Sequence, residues 1–526
     1  MNGGVTGECN GRFTGGASRA RGRMKFLLLV TLLAMGCHRP DRSSGRPVVI
    51  AFESSPSHPD PRLGTDQASE RLADMAFRGL VRRSGGGGVI TDLASSWHWE
   101  NPSTLVVEIR PGQTFVDGRP LAARDVVWTF QSLLDPATGS PRRGAFARLD
   151  PDHPVESRGE GVVVFRCLKL EPCSGLLQNL NLGIVPAGAR PADVLARPIG
   201  AGPMRITAMI PDERTVLEAS KAGGKAGIEL RVIPDATSRA LSLLEGSVDL
   251  AVNNLSPDLV QRFREDSRFR VADSPGSNYA YLGFNCADPA LGDRRVRQAV
   301  ALAIDRRALV EHLHRGLGDL TETALPPANL DRAVDLPVLT PDLEEARRLL
   351  DEAGWPSKNG ASRLRLVYKT STDETAVLQA TAIQWMLARI GIEITVRPLD
   401  FGAFYADVQR GAVQLYSLVW TSVSDPDLLR MIFHSAMVPP AGWNRGRFSN
   451  PLLDRILDDA ASLPPGDDRR ELYIRAQRIV REDLPYVSLW HRRNVAVYRA
   501  GLAGVTIDVL GDFRFVENLE RIPGAP

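Results

Sequence analysis

The sequence predicts an α/β protein built from more than one domain. At 526 residues the chain is too long for a single hydrophobic core, so two or three domains are expected. Downstream of Glu229, strand and helix patterns alternate. ELRVIPDATSRALSLLEGSVDL reads as strand, helix and turn, LRLVYKT as a strand, residues 376–390 as a helix and IEITVRPLD as a strand. That alternation implies layered packing with much parallel pairing. The 43% apolar fraction supplies enough material to bury.

The most strongly patterned stretch is YLGFNCADPALGDRRVRQAVALAIDRRALV, residues 281–310. Tyr279, Tyr281, Leu282 and Phe284 suit a half-buried strand. Asn285, Asp288, Pro289 and Gly292 break it, and Asp293 is placed to cap a helix by accepting from first-turn N–H groups. Val296, Ala299, Val300, Ala303 and Ile304 then recur at helical spacing. Asp305 caps a second helix carrying Leu309, Val310 and Leu313, and Gly316 ends it.

The remaining elements follow in order. PVVIAFES, from Pro47, is a strand, and residues 67–80 form a helix with Leu72, Met75, Ala76 and Leu80 on one face. Gly85 to Gly88 makes a loop tip or hairpin turn, and the alternating Trp97 and Trp99 with TLVVEIR give two antiparallel strands. Asp117-Gly118 turns the chain into a helix over residues 122–134 that points Val126, Val127, Phe130, Leu133 and Leu134 inward. Residues 161–186 are strand-rich. IGAGPMRI, residues 199–206, suits a crossing between domains. Helices over 343–353 and 469–482 and the strand YVSLWHRRNVAVY complete the pattern.

The N-terminus reads as an export signal. Arg21, Arg23 and Lys25 precede a short apolar run from Phe26 to Met35, shorter than the roughly 20 residues that span a bilayer. Met24 is the expected true start, with residues 1–23 an upstream extension. A small residue before Cys37 resembles the lipobox of bacterial lipoproteins, in which the cysteine is acylated. Ala34 and Met35 depart from that motif, and a plain secretory signal is the other reading. Export makes disulfides admissible: Cys167 and Cys173 in CLKLEPC are either bridged in a small loop or two unpaired buried thiols. Cys286 reads as a small core residue.

The net charge of +2, with no basic run interleaved with aromatics, argues against nucleic-acid binding. There is no GxSxG, SxxK or HExxH motif. His312 and His314, two apart on a helix, point to different faces and read as surface histidines. No catalytic residue, metal site or cofactor is expected. What remains is LYSLVWTSVSDPDLL, residues 415–429, a strand ending in an aromatic wall beside polar residues and free backbone groups, which could pair with an extended ligand. A core tryptophan before a turn is the plainer reading.

Several stretches taken together resemble the extracytoplasmic solute-binding proteins of ABC importers, in the peptide/nickel-binding family (family 5). They are residues 281–310; LASSWHWENPSTLVVEIRPGQTFVDGRPLAARDVVWTF; IGAGPMRI; SLLEGSVDLA; LDEAGWP; IGIEITVRPLDF; FSNPLLD; and AQRIVREDLPYVSLW, all in family order. The resemblance implies a type II periplasmic-binding-protein fold whose two lobes close on a ligand, with an extra domain in the larger lobe. The expected organisation is a signal or lipoprotein segment at 1–37, lobe I from 47–62, 187–278 and 489–526, an extra domain at 63–186 and lobe II at 279–488. It further implies capture of a small-molecule or oligopeptide ligand, without turnover, for ABC permease subunits in the inner membrane. The protein would be a lipid-anchored monomer outside the cytoplasm. The alternatives are a secreted hydrolase and a solute-sensing lipoprotein without a transporter.

The ligand site implied by the resemblance comprises Tyr279, Asn285, Trp420, Thr421, Ser422, Val423, Asp425 and Trp443. In peptide-binding members an Asp follows the WTG-like segment and pairs with the peptide's amino terminus; here Val423 stands in its place. An amine desolvated in a closed cleft needs a counter-charge, so the expected solute is either not a free-amine peptide or one anchored elsewhere.

Overall fold

A computed structural model describes residues 46–168, 175–220, 227–357, 362–464 and 466–522. Cys37 and Cys173 therefore lie outside the described residues. Among those described, no helix is long and apolar enough to cross a membrane.

The expected strand is Val48–Phe52, buried at every position. It lies between two parallel neighbours, Ile228–Val232 and Leu250–Val252, and two antiparallel strands, Arg214–Ala219 and Met204–Ile210, extend that side. On its other side Leu250–Val252 pairs with the long strand Tyr486–Arg499, which runs antiparallel to the longer Phe269–Phe284. Leu415–Trp420, Leu364–Ser371 and Ile392–Leu399 complete the order. Parallel pairing is confined to the neighbours of Val48–Phe52 and of Leu364–Ser371. The sheet is thus mixed, less parallel than the strand–helix alternation suggested, because the two longest strands run antiparallel.

Both long strands contribute to several hydrophobic cores, Phe269–Phe284 through Phe269, Tyr279 and Leu282 and Tyr486–Arg499 through Tyr486, Leu489 and Ala496. Residues 269–274 pair with 494–499, the register shifts between Ser274 and Asn278, and residues 278–283 pair with 486–492. Buried residues group accordingly. One set joins Val48, Ile50, Phe52, Leu230 and Phe513; another joins Leu282, Phe284, Val296, Val300, Leu366 and Ile383. A third, formed by Leu105, Val107, Phe130, Val163 and Phe165, is built from residues of the expected extra domain. The expected boundaries at 278/279 and 488/489 fall inside these shared strands. The helix Gln67–Ala76 packs its Leu72 and Met75 with Val48 and Phe52, so residues 67–76 join the core expected for lobe I.

That helix stops four residues earlier than its periodicity suggests. After Ala76 the chain is extended, because residues 78–81 take partners elsewhere: Leu80 and Val81 donate to the Leu180 carbonyl and Ile184 donates to the Arg78 carbonyl. The crossing at IGAGPMRI is explained by close approach. A Cβ at Gly200 would lie 2.0 Å from the Ala76 carbonyl oxygen, so only glycine passes there. Gly85–Gly88 closes a hairpin between Val81–Arg83 and Val89–Thr91.

Residues 281–310 follow their pattern closely. Asp293 accepts from the Arg295 N–H at 2.8 Å, and the helix Arg294–Ala303 buries Val296, Ala299, Val300 and Ala303. Its polar motif residues are structural as well. Arg297 is buried and its guanidinium donates to the carbonyls of Leu291, Gly292, Asp483 and Leu484. Arg306 donates to those of Thr321, Ser488 and Leu339 and pairs with Glu322. The second helix departs from expectation, since Leu309–Leu313 widens into a π-helical turn. This buries His314 against Trp490, with ring centroids 4.6 Å apart, and burial pushes its imidazole down to about 4. His314 is therefore a core residue and not the surface histidine its sequence context suggested, whereas His312 is exposed.

Candidate functional site

The strand Leu415–Trp420 delivers residues 421–425 to a cavity of about 680 Å³. Thr421, Ser422, Val423, Asp425 and Trp443 all line it, together with Leu428, Met431 and Met437. Gly144, Phe146, Leu149, Leu176 and Gln178 line it too, from the region expected as the extra domain. The cavity thus lies between separate parts of the fold, the usual setting of a small-molecule site. Its walls are largely apolar, with Asp425, Asp427, Arg83 and Arg430 as charged points.

The turn after Trp420 is held by the long strand. Ser422 has a φ of +52°, a left-handed conformation costly for a non-glycine residue. Its N–H donates to Asn278 Oδ1 at 2.8 Å, and the Val423 N–H donates to the Ser277 carbonyl at 3.2 Å. The expectation of free backbone groups here is therefore corrected at Ser422 and Val423, whose N–H groups are already occupied. Residues 421–425 meet the cavity without these two N–H groups free.

The two tryptophans have different roles. Trp443 is 43% exposed and lines the cavity, so it forms the aromatic wall. Trp420 is 9% exposed and stands behind it, 5.7 Å from Trp443 and 6.2 Å from Tyr281 between ring centroids. Arg445 covers the Trp420 ring with its guanidinium carbon 4.2 Å from the centroid. Trp420 is thus the core tryptophan of the plainer reading, supporting the wall without lining the cavity.

Tyr279 and Asn285 do not reach this cavity. Tyr279 is buried, with its hydroxyl 2.7 Å from Ser488 Oγ, because register sets it between Trp420 and His491 in the sheet. Asn285 braces a turn, its amide donating to the carbonyls of Gly411 and Val413. Both were expected at the ligand site; the sheet and the turn account for them instead.

Asp425 is pushed up to about 6, first by burial and then by the neighbouring Asp427. Asp427 is itself matched by Arg469 at 3.1 Å, and Arg430 by Asp458 at 2.9 Å. Val423 is 3% exposed and brings no charge. Cys167 is disulfide-bonded. Cys286 is a free thiol that burial pushes up to about 11, unsuited to nucleophilic attack. Among the described residues no group of three or more His, Cys, Asp or Glu could hold a metal ion.

Of the residues expected from the sequence, Thr421, Ser422, Val423, Asp425 and Trp443 line this one cavity, while its opposite wall was not expected. That wall is built on two single helical turns, Arg143–Phe146 and Leu176–Asn179, too short to show a periodic pattern. A second, polar cavity of about 150 Å³, which shares Arg83 and Ser422 with the first, was also missed. Asp74, Asp512 and Arg514 line it, and residues so distant in the chain carry no local signal of meeting.

Comparison with known proteins adds three findings. The model for bacterial extracellular solute-binding proteins, family 5 Middle, matches residues 88–437. The probable di/tripeptide-binding protein 5 of Pseudomonas aeruginosa (strain UCBPP-PA14) is 27% identical over 482 residues, 85% of this chain and 90% of that relative. Among solved structures, the ABC transporter substrate-binding protein CtaP of Listeria monocytogenes aligns with a TM-score of 0.81 at 21% identity, over 91% of this chain and 99% of that one. NikA of Brucella suis, solved in complex with Fe(III)-EDTA, aligns with a TM-score of 0.80 at 22% identity, over 90% and 99%.

Proposed function

This chain belongs to the bacterial extracellular solute-binding proteins of family 5, and on that premise we propose that its solute is a short peptide-like molecule held in the 680 Å³ cavity against Trp443. The protein is the solute-binding component of an ABC importer, handing its ligand to a membrane permease. The observation that carries the proposed site is the convergence of Thr421, Ser422, Val423, Asp425 and Trp443 on one cavity whose other wall comes from residues 144–149 and 176–178. Its volume falls within the roughly 300–1,000 Å³ of small-molecule sites.

Support for a peptide comes from the di/tripeptide-binding relative and from the Trp443 wall. With Val423 where peptide-binding members of the family have an acid, the solute's amine is not held at 423. The site binds its solute without turnover, and the charged residues of its walls serve as ligand contacts. The protein works outside the cytoplasm as a monomer anchored through an acylated Cys37. Loss of membrane retention in Cys37→Ser tests that anchor.

Native mass spectrometry of the purified protein for co-purified solute tests the main reading, followed by calorimetric titration with a di- to pentapeptide library. Saturable binding weakened by Trp443→Ala is expected. A co-purified solute that is not peptide-like, with no binding by the library, would overturn the peptide assignment.

A further inference from the structure

The second cavity, about 150 Å³, opens behind Ser422 and meets the main one at Arg83 and Ser422. Most of its charges are matched. Arg71 pairs with Glu53 at 2.9 Å, Arg142 with Glu70 at 3.2 Å, and Arg514 with Asp512 at 3.3 Å and Asp92 at 3.4 Å. Two are not. The Asp74 carboxyl makes no hydrogen bond or ion pair among the described residues, although it is half-buried on the face of helix Gln67–Ala76 that lines this cavity together with Gln67 and Glu70. Arg83, at the junction, has a buried Nε with no partner.

A half-buried carboxylate without a partner carries a desolvation cost, and Asp512 adds a like charge. Burial, then Asp512, pushes Asp74 up to about 7, with Glu70 adding to the shift and Arg514 and Arg83 opposing it. Asp512 is itself raised by burial and by Asp508, and eased by Arg514 and Arg82. A cation between Asp74 and Asp512 would relieve both groups.

We propose that this cavity is the amine subsite of the binding site: the solute's amino group sits against Asp74 and Asp512, supplying at a new position the counter-charge that Val423 cannot. This rests on the peptide-like reading of the main cavity. The chain then runs past Ser422 and Arg83 into the larger space, where Arg83 can donate to a backbone carbonyl. The strained Ser422 turn forms the wall between the two compartments.

Calorimetric titration of the full chain with alanine tripeptide and its N-acetyl counterpart tests this. Wild-type protein should bind the free-amine peptide roughly 10- to 100-fold more tightly than the acetylated one, the value of a charge-assisted contact. Asp74→Asn should erase that preference while its melting profile shows a folded protein. Free-amine affinity should fall from pH 7.5 to 5.5 in wild type, as Asp74 takes up a proton, and not in the variant. Equal binding of the two peptides by wild type, or an unchanged preference in Asp74→Asn, would overturn the subsite and leave the peptide reading standing. Binding of neither by wild type would overturn both. Because acetylation alters only the ligand, the test does not depend on how the variant folds.

Discussion

Arg445 lies over the ring of Trp420, its guanidinium carbon 4.2 Å from the ring centroid, and it is 6% exposed. Its donors reach Tyr405 Oη at 3.0 Å and Tyr281 Oη at 3.4 Å, and no carboxylate pairs with it among the described residues. A buried cation is thus held by a π face and two phenols. Trp420 in turn supports the cavity wall at Trp443.

Replacing this guanidinium with a chain of similar length removes the electrostatic attraction but keeps much of the packing. A desolvated cation–π contact is worth about 2 kcal/mol, offset in part by the relief of burying no charge. Arg445→Met should therefore change stability by no more than about 2 kcal/mol, yet shift the Trp emission spectrum by changing the surroundings of Trp420. Denaturant melts and fluorescence measure both. An unchanged spectrum would mean that Trp420 does not sense Arg445.

Trp443 offers the opposite case. With 43% of its surface exposed it contributes little to the core, so Trp443→Ala should cost about 1 kcal/mol or less of stability. Affinity should drop by about tenfold or more, since aromatic walls supply large desolvated contact area. Titration against a peptide bound by wild type measures it. A large stability loss with unchanged affinity would place this ring in the core instead.

The legible parts of the fold were those set by local chemistry. The Asp293 cap and the Val296–Ala303 face were readable because capping and helical periodicity lie within a few residues, and PVVIAFES read as a strand. The helix end at Ala76 was not, because the partners that draw residues 78–81 away sit at 180 and 184. His314 was misread because a π-helical turn alters which residues face inward. At the site, residues 421–425 and Trp443, expected from the family pattern, converge on one cavity. Tyr279 and Asn285 lie away from it, because sheet register and turn bracing, both non-local, engage their polar groups. The meeting of Asp74 and Asp512 at one cavity was invisible for the same reason.

Arg297 tests how much of the motif is structural. Its guanidinium meets four carbonyls, two of them from Asp483 and Leu484 at the end of the helix Asp467–Asp483. Arg297→Met leaves those acceptors unpaired in a region closed to water, at about 3 kcal/mol. Equilibrium denaturation should show that loss with ligand affinity unchanged at saturating folded protein. A near-neutral variant would mean that water replaces the guanidinium there.

The raised carboxyls impose a pH dependence whose direction is fixed. Asp74 at about 7 and Asp425 at about 6 stand above the ordinary 3.8, so between pH 4 and 7 the folded chain holds protons that the unfolded chain has released. Stability from these two groups is therefore greatest below about pH 4 and declines as pH rises toward 7. Both are partly open to water in their cavities, so each penalty is reduced by screening to about 1–2 kcal/mol. Asp74→Asn removes one of them: its melting temperature should match wild type near pH 4 and exceed it at pH 8. A ligand amine seated against Asp74 would offset the same cost, so a bound free-amine peptide should stabilise wild type more at pH 8 than at pH 5.5. Thermal melts across that range check both, and a variant no more stable than wild type at pH 8 would show that Asp74 carries no burial penalty.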